Sequence, residues 1–435
     1  MTNVGIRKER TSMELLEKVL NDKNLFKAYK QVYKNKGASG IDGITVDELG
    51  HYMYLHKEEI KEQIRNRKYK PSPVKRVYIP KENGDKRGLG IPTVVDRVIQ
   101  QAIVQVLTPI YETQFSETSY GFRPNRSCEM AIIKLLEYFN DGYTWIVDID
   151  LQKFFDTVCH DKLISIIMKT IHDGELVSLI RKYLVSGVME NGVVSPTKVG
   201  TPQGGNLSPL LSNIMLNELD KELEKRGLRF TRYADDCIIV VQSEKAANRV
   251  MESITKFIEK KLGLKVNIEK SKVAKPNEIK YLGFGFYYTK TGIIKPKPHL
   301  KSVQKFKRKL KNLTIRKYNI KLSIRFVKLN QVIRGWINYF RIADMKWTIT
   351  NITKHLNRRI RCVIWKQWKT CENRIRQLKR LGVYENKAKM CAYSRKSYWF
   401  MSNQKSVNYA LSKERLKRNG LISAIEYYLK IHTVI

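Results

Sequence analysis

The sequence lacks several features that would place it in common protein classes. No uninterrupted apolar run approaches the ~20 residues that a membrane-spanning helix needs, and the opening MTNVGIRKER contains no apolar stretch of a signal peptide. The six cysteines are scattered, without a Cys-x-x-Cys pair or a matching histidine pair of the kind that holds zinc. A membrane protein, a disulfide-stabilised scaffold and a zinc-finger protein are therefore disfavoured. We expect a cytoplasmic protein with reduced thiols.

Acidic residues are also scarce. The chain has 41 Asp and Glu against 82 Lys and Arg, a net charge of +41. The last third, residues 295–435, holds 36 basic and only 5 acidic residues. Such a charge repels itself unless a polyanion neutralises it. An anionic membrane surface is the alternative partner, but no basic amphipathic anchor or lipidation motif is evident. The composition therefore predicts a nucleic-acid partner bound largely by the C-terminal third.

The chain is long enough for two or three domains, because it has 435 residues, of which 42% are hydrophobic. Periodicity predicts a helix over 130–139, a strand over 143–151, a helix over 210–225 and a hairpin over 229–242. This order favours an α+β body. Prolines in the segment 294–298 indicate an extended junction. Beyond it, apolar residues at helical spacing predict two helices with basic residues between them: Val303, Phe306, Leu310 and Leu313, then Leu329, Val332, Ile333, Trp336 and Phe340.

Carboxylates occur in two places where the surrounding residues are apolar. Alternation along the strand 144–151 puts Asp148 and Asp150 on one face, and Asp235 and Asp236 lie at a tight turn before the apolar run CIIVV. Carboxylate oxygens suit Mg²⁺, and two such ions ~4 Å apart support nucleotidyl transfer. An Asp-Asp pair by itself is equally compatible with an ordinary hairpin turn.

Two further segments have the composition of phosphate- or nucleotide-binding loops. The segment VGTPQGGNLSP at 199–209 is glycine-rich and precedes a helix, and glycine lets a backbone approach a ligand closely. Upstream, the basic segments 76–81 and 86–92 flank the turn signal Asn83-Gly84, which predicts a hairpin whose cations could bind a triphosphate. A plain turn and a solvated basic hairpin remain the alternatives.

Taken in order, these motifs resemble a known family. Tyr233-Ala234-Asp235-Asp236 resembles the YxDD turn of reverse transcriptases. Asp150 also stands five residues before Phe155, the spacing of that family's first catalytic motif, whereas Asp148 is followed at that distance by Lys153. The segments 120–124 (YGFRP) and 281–284 (YLGF) resemble two further blocks, and 329–340 (LNQVIRGWINYF) resembles the maturase segment of group II intron-encoded proteins. The chain has no paired cysteines of an HNH endonuclease domain, so it is most similar to the compact bacterial class C members.

The resemblance implies a role for individual residues. Two Mg²⁺ ions would be held by Asp150, Asp235, Asp236 and the backbone carbonyl of Leu151, with Asp148 as a supporting acid. The nucleotide would contact Lys81, Arg87, Phe155, Gln203 and Gly204, with Phe155 excluding a ribose 2′-hydroxyl unless it is an ordinary buried aromatic. Primer and template would contact Arg123, Pro202, Tyr233, Leu282, Gly283 and Phe284. Lys270 is a candidate general acid, with a surface lysine as the alternative, and the RNA-binding candidates are Arg334, Trp336 and Arg341.

The resemblance also implies an architecture and an activity. It implies a right-hand polymerase with fingers and palm in 1–299, a helical thumb and maturase domain in 300–365, and a basic DNA-binding tail in 366–435. The implied function is that of a group II intron-encoded RNA-directed DNA polymerase, which binds its intron RNA, assists splicing and copies the intron during retrohoming. Its partners would be intron RNA, a DNA target, the template–primer duplex and dNTPs, in a bacterial ribonucleoprotein in which the protein is a monomer on RNA. The alternatives are a non-enzymatic RNA-binding splicing factor with the same fold and a stand-alone reverse transcriptase of the retron or defence type.

Overall fold

A computed structural model describes residues 14–80, 84–197, 199–201 and 204–433. The chain forms two compact units, 1–274 and 275–435. Both strands and helices fill the first unit and helices dominate the second, which confirms the α+β class. The predicted domain limits at 299 and 365 stay predictions. No described helix has both the length and the apolar composition needed to cross a bilayer.

The first unit combines helices with two small sheets. Its described helices are α1 (Glu14–Leu20), α2 (Asp22–Asn35), α3 (Leu49–Arg65), α4 (Val94–Glu112), α5 (Cys128–Asn140), α6 (Phe154–Thr157), α7 (His160–Met168), α8 (Gly174–Val185), α9 (Ser208–Lys225) and α10 (Glu244–Phe257), which a π-helical turn, Ile258–Leu262, continues. Its described strands are β1 (Val74–Pro80), β2 (Lys86–Ile91), β3 (Trp145–Ile149), β4 (Val188–Glu190), β5 (Val193–Ser195), β6 (Arg229–Tyr233), β7 (Asp236–Val241) and β8 (Lys272–Ala274).

The central sheet of this unit has the strand order β6-β7-β3-β8, and neighbouring strands are antiparallel. Its two inner strands, β3 and β7, are mostly apolar and buried, as expected for strands covered by helices on one face and paired on both edges. The predicted strand 143–151, the hairpin 229–242 and the helices 130–139 and 210–225 are all confirmed, each within a few residues. This sheet forms the rigid base on which the acidic residues lie.

The second sheet has the order β2-β1-β4-β5. Strands β1 and β2 form the predicted hairpin, with Lys75 opposite Ile91 and Pro80 opposite Lys86. Most of its side chains are exposed, so the hairpin projects basic residues into solvent. Asn83, on which the turn prediction rested, lies outside the described residues.

The second unit begins with a small two-stranded sheet, β9 (Phe284–Tyr288) and β10 (Ile294–Pro298), preceded by a 3₁₀ turn at Pro276–Glu278. The proline-containing segment predicted as an extended junction is therefore a strand. A two-stranded sheet tolerates Pro296 and Pro298 because each strand has an unpaired edge, where a missing N–H costs no ladder bond.

The rest of the second unit is helical. Its described helices are α11 (Leu300–Leu313), α12 (Leu322–Tyr339), α13 (Lys346–Gln367), α14 (Cys371–Arg380), α15 (Glu385–Ala392), α16 (Tyr398–Met401), α17 (Lys405–Ala410), α18 (Lys413–Arg418) and α19 (Ala424–Ile431). The two predicted amphipathic helices correspond to α11 and α12, and their apolar residues Phe306, Leu329 and Ile333 are buried. The exposed faces of both helices carry basic residues.

Candidate active site

The acidic residues predicted from the sequence lie at one end of the central sheet. Ile149, the last residue of β3, is opposite Cys237 of β7. Asp150, which follows Ile149, and Asp236, which precedes Cys237, therefore lie at the same end of two adjacent strands. Asp235 occupies the turn that joins β6 to β7, where Tyr233 pairs with Asp236. The fold thus brings Asp150 to the same end of the sheet as Asp235 and its neighbour Asp236, although 85 positions separate Asp150 from Asp235.

A neighbouring turn holds the backbone of Asp150. The Asp150 N–H donates to Oγ of Ser271 at 3.0 Å, and its carbonyl accepts from the Asn267 N–H at 2.8 Å. The same turn carries Lys270, which is exposed and adjacent in sequence to Ser271. Leu151 follows with a buried side chain and forms a single bridge with Val266. The backbone of Asp150 is therefore held at both its N–H and its carbonyl, and the residue lies at the end of the strand.

Asp148 differs from Asp150 in its surroundings. It lies within β3, between Ile238 on one side and Lys272 on the other. Burial raises the pKa of the Asp148 carboxyl to about 6, Lys272 opposes this rise, and Asp150 adds to it. Asp148 therefore lies inside the sheet, whereas Asp150 lies past the end of β3, and the predicted supporting role of Asp148 stays a prediction.

A buried ion pair stabilises the acidic turn. Ala234 has a left-handed backbone with φ of 58°, a conformation that needs support in a residue other than glycine. The Arg232 guanidinium donates to the Ala234 carbonyl at 2.9 Å, to Oδ1 of Asn213 at 3.1 Å and to Oδ1 of Asp220 at 2.7 Å. The side chains of Arg232 and Asp220 are fully buried. Burial raises the pKa of Asp220, and the guanidinium opposes that rise.

The chain segment 119–121 supports the same turn from another side. Its Tyr120 N–H donates to the Arg232 carbonyl at 2.8 Å, and the Gly121 carbonyl accepts from Nδ2 of Asn213 at 2.8 Å. A Cβ at position 121 would overlap the backbone nitrogen of Ala234. Gly121 is thus required because two backbones meet there.

Arg232, Asp220 and Asn213 were missed by the sequence reasoning. The available signal was an acid on an apolar helix face, since Asp220 lies between Leu216, Leu219 and Leu223. A charged residue at such a position usually has a buried partner of opposite sign.

The glycine-rich loop contacts the backbone that follows the first catalytic carboxylate. Gly200 has φ of 92°, and a Cβ there would meet the Phe155 carbonyl at 2.8 Å. The Thr201 N–H donates to that carbonyl at 2.6 Å, and the Gly200 carbonyl lies 2.7 Å from Nε2 of His160. The Phe155 side chain is 9% exposed and meets Phe154 edge-on at a centroid distance of 5.2 Å. The loop and the aromatic residue are therefore held together as one surface.

Further along this loop, Gly204 lies against β2, where a Cβ would meet the Gly90 carbonyl at 2.5 Å. The loop therefore bridges the basic hairpin and the central sheet. Arg87 is exposed on β2, opposite Ile79. Lys81, Pro202 and Gln203 lie outside the described residues, so their predicted roles stay predictions.

Two candidates for primer or template contact are less accessible than the resemblance implies. Arg123 is 7% exposed, and its guanidinium donates to Glu112 and to the carbonyls of Ser116 and Ser119 at 2.6 and 2.8 Å. Tyr233 is half-buried, and burial together with its contact to Cys128 raises its pKa to about 12. Arg123 is placed to brace the 116–123 loop.

In the second unit, Leu282 and Gly283 form a tight turn with φ of 48° and 84°. Two central residues with positive φ are typical of a type I′ hairpin turn. The Leu282 carbonyl accepts from the Tyr339 hydroxyl and the Gly283 carbonyl from Oγ of Ser302, each at 2.8 Å. Phe284 is buried behind them. The turn is thus anchored to α11 and α12 through both of its carbonyls.

The predicted RNA-binding residues lie in α12 or just after its end, and they divide into two kinds. Arg334 and Arg341 are exposed. Trp336 is half-buried and stacks on Phe306 with parallel rings 4.4 Å apart. The two arginines therefore lie on the surface, whereas Trp336 stabilises the contact between α11 and α12.

The donor chemistry at the end of the central sheet is that of a hard divalent cation. In the described part of the chain, no three His, Cys, Asp or Glu side chains are placed so that they alone could hold a metal. Mg²⁺ needs only one or two carboxylates when waters and substrate phosphates complete its shell. Asp150 and Asp235, both half-exposed, and the exposed Asp236 fit such a shared site.

Comparisons with known proteins agree with this geometry. Residues 79–286 match the family described as reverse transcriptase (RNA-dependent DNA polymerase), which contains all of these carboxylates. Residues 303–382 match the family described as group II intron, maturase-specific domain. A reverse transcriptase domain implies a polymerase that depends on a divalent metal.

Several curated proteins are similar in sequence. Protein YkfC of Escherichia coli (strain K12) is 33% identical over 61% of this chain and 80% of its own length. Group II intron-encoded protein LtrA of Lactococcus lactis subsp. cremoris is 42% identical over 48% of this chain and 35% of its own length. The putative COX1/OXI3 intron 2 protein of Saccharomyces cerevisiae is 30% identical over 65% of this chain and 40% of its own length. The matches thus span most of YkfC but well under half of the other two proteins. With both family matches, and with YkfC 33% identical over 80% of its length, the chain belongs to the family of group II intron reverse transcriptases and maturases.

Proposed function

We propose that this protein copies RNA into DNA at the carboxylates Asp150, Asp235 and Asp236, and that it does so as part of a group II intron ribonucleoprotein. The observation that carries the proposal is the convergence of these acids at one end of the central sheet: the backbone of Asp150 is fixed by hydrogen bonds, Asp236 is paired with Tyr233, and Asp235 lies in the turn between them. A protein that used this fold only as a scaffold for RNA would not need the buried Arg232–Asp220 pair to hold an acidic turn in place.

In the proposed reaction, a primer 3′-hydroxyl attacks the α-phosphate of a dNTP and pyrophosphate leaves. Asp150, Asp235 and Asp236, with the Leu151 carbonyl, would hold two Mg²⁺ ions, which supply activation of the attacking hydroxyl and stabilisation of the leaving oxygen. Around them, Arg87 and Lys81 of the basic hairpin would bind the triphosphate. The exposed Lys270 is the candidate for protonating the pyrophosphate, and its turn is the one that fixes Asp150.

The sugar of the incoming nucleotide would lie on Phe155. Its backbone is fixed by Thr201, and its ring has little freedom to move because it is buried against Phe154. A rigid ring under the sugar leaves no room for a 2′-hydroxyl. Gln203 and Gly204 would contact the base pair, and Pro202 and Tyr233 the template and primer.

The second unit would bind nucleic acid beyond the polymerase centre. The turn at Leu282 and Gly283 is proposed to contact the primer, with Phe284 supporting it. The exposed Arg334 and Arg341 are proposed to contact intron RNA, and the basic residues of 366–435 a DNA target. Phosphate contacts should dominate this binding, because the charge is concentrated there. We also propose the compact class C type and a monomer on RNA.

The test is a pair of conservative substitutions, Asp235→Asn and Asp236→Asn together. We expect cDNA synthesis on a primed RNA template to fall below detection, because the amide removes the charge needed for the metal without changing the turn's size. RNA affinity, measured by filter binding in the same preparation, should change little. Full extension by the variant would contradict the assignment, and equal loss of RNA binding would favour a general folding defect.

The alternative of a non-enzymatic splicing factor would be favoured if the unmodified protein bound intron RNA tightly and promoted splicing but extended no primer. A stand-alone reverse transcriptase would extend primers but show no preference for intron RNA.

A further inference from the structure

The second unit contains a cavity that the polymerase reaction does not use. It lies between α11 and α13, has a volume of about 370 Å³, and is lined by Lys307, Arg308, Leu310, Lys311, Asn351, Ile352, His355, Leu356 and Arg359. Ligand pockets in proteins begin at roughly 300 Å³, so the space is large enough for a small planar group. All of its lining residues fall within the segment 303–382 that matches the maturase-specific domain.

The floor of the cavity is apolar. Leu310, Ile352 and Leu356 form it, and each is less than a tenth exposed. Where this apolar floor meets solvent, a flat apolar group that covers it would remove apolar surface from water, which is favourable. Asn351 and His355 stand beside it and offer hydrogen-bond donors and acceptors.

The rim of the cavity is cationic. Lys307, Arg308 and Lys311 are exposed on α11, and none of them has an ion-pair partner among residues 14–80, 84–197, 199–201 and 204–433. No acidic side chain occurs among the lining residues that the structure describes. The occupant should therefore be anionic at its edge and apolar at its centre.

One cation has a different role. Arg359 donates from Nε to Oγ1 of Thr314 at 2.7 Å and from Nη2 to the Lys311 carbonyl at 3.1 Å. The second of these bonds satisfies a carbonyl group at the C-terminal end of α11, and the first holds the hydroxyl of the residue that follows the helix. Arg359 thus fixes the cavity wall, while the other three cations remain available to a ligand.

His355 extends the site towards a second aromatic surface. Burial lowers the pKa of its imidazole, and Arg359, Lys307 and Arg358 lower it further, so the neutral ring prevails near pH 7. Its ring centroid lies 5.5 Å from that of Trp399, and the Arg358 guanidinium covers a face of Trp399 at 3.9 Å. Trp399 is 37% exposed. Stacking on such rings is a common way of binding unpaired bases.

We propose that this cavity binds one unpaired nucleotide of RNA, whose base covers Leu310, Ile352 and Leu356 and whose flanking phosphates contact Lys307, Arg308 and Lys311. A base-paired helix would offer phosphates to the rim but no free base to the floor. RNA is favoured over DNA because the cavity lies wholly within the maturase-specific segment. The inference rests on the proposed RNA-binding function and adds to it a defined subsite.

The test uses the full chain with its polymerase cleft filled by excess unlabelled RNA–DNA primer–template duplex. A short fluorescent oligouridine carrying one 4-thiouridine is titrated in, then crosslinked by light, and the crosslinked peptides are identified by mass spectrometry. We expect crosslinks within 300–313 and 346–367. Asn351→Trp, which fills the cavity from its rim, should weaken binding roughly tenfold or more and abolish the crosslink. Gln331→Trp on the exposed face of α12 is the matched control and should change neither.

The rim is tested separately by Lys307→Ala with Lys311→Ala, against Lys301→Ala with Lys309→Ala on the same helix but outside the cavity. Loss of two phosphate contacts should reduce the slope of log affinity against log salt by about 1.4, and the control pair should leave it unchanged. Equal behaviour of the two pairs, or a crosslink that survives Asn351→Trp, would overturn the proposal. So would equal binding of a blunt RNA duplex or of oligothymidine at the same site.

Primer extension is measured on every variant, so that this subsite and the polymerase assignment fail separately. Extension should be unchanged in all of them on a short template. If the unmodified protein itself extends no primer, the proposed function fails first. If extension is normal and the crosslink falls elsewhere, only the subsite is wrong.

Discussion

The buried Arg232–Asp220 pair offers a perturbation that separates stability from activity. Arg232 donates to Asp220 below the acidic turn and to the Ala234 carbonyl within it. Replacing Arg232 by Met leaves the Asp220 carboxylate in a fully buried position without its partner. Replacing Asp220 by Leu instead leaves the guanidinium without its counter-ion.

Each single substitution should destabilise the first unit by about 3–5 kcal/mol, the usual cost of breaking a buried ion pair from one side. The double variant, Asp220→Leu with Arg232→Met, should recover most of that loss, because an apolar pair of similar volume replaces the buried charges. The Ala234 carbonyl and Asn213, however, still lack their donor. We therefore expect the double variant to be folded but about 10–100-fold less active, the range seen when a residue that orients a metal ligand is removed.

Stability is best measured by hydrogen exchange of peptides from β6 and β7, because a chain with two compact units does not unfold in one step. Activity is measured by primer extension in the same preparations. Lys256→Met, which breaks the exposed pair with Glu252, is the control and should leave stability nearly unchanged, because solvent screens this pair. A double variant with full activity would refute the positioning role of Arg232, and single variants as stable as the control would refute the buried pair itself.

Four further outcomes are expected. Gly121→Ala should abolish extension and reduce protection of the β6–β7 turn because its Cβ would overlap Ala234, whereas Gly174→Ala, which has open space around it, should be nearly neutral by both measurements. Asp148→Asn should keep most of the extension activity that Asp150→Asn loses, since Asp148 lies within β3 between two paired strands and is not expected to be a metal ligand; equal loss in single-turnover assays would contradict its supporting role. Phe155→Val should raise incorporation of NTPs relative to dNTPs in competition assays, and an unchanged ratio would make Phe155 an ordinary core residue. The logarithm of the affinity for intron RNA should fall steeply and linearly with the logarithm of salt concentration. A flat response in filter binding would contradict RNA binding by phosphate contacts with the basic C-terminal third.

Much of the candidate site could be predicted because its residues lie in short local patterns. Alternation along β3 places Asp148 and Asp150, and the apolar strand after Asp236 marks the turn. The helices α5 and α9 and the β1–β2 hairpin follow from periodicity and turn signals in the same way. The choice between Asp148 and Asp150, by contrast, came from the family's spacing, and the structure adds that Asp148 lies within β3 between two paired strands whereas Asp150 follows the end of that strand.

The parts that escaped prediction depend on contacts between distant segments. Arg232 meets Asp220 only after α9 lies beneath the hairpin, and the need for Gly121 arises only because its backbone meets that of Ala234. Likewise, Arg123 lies in a segment that resembles a template-binding block of the family. Its guanidinium, however, donates hydrogen bonds to Glu112 and to two backbone carbonyls. The strand at Ile294–Pro298 was hidden by its prolines, which a central strand would exclude but a two-stranded sheet accepts.

The most direct test of the central claim is primer extension by the unmodified protein with Mg²⁺, offering dNTPs or NTPs on matched RNA and DNA templates. We predict extension with dNTPs on the RNA template, no extension when Mg²⁺ is chelated, and strong discrimination against NTPs. The absence of dNTP incorporation on RNA by a folded, RNA-binding preparation would contradict the assignment of Asp150, Asp235 and Asp236 as a polymerase centre.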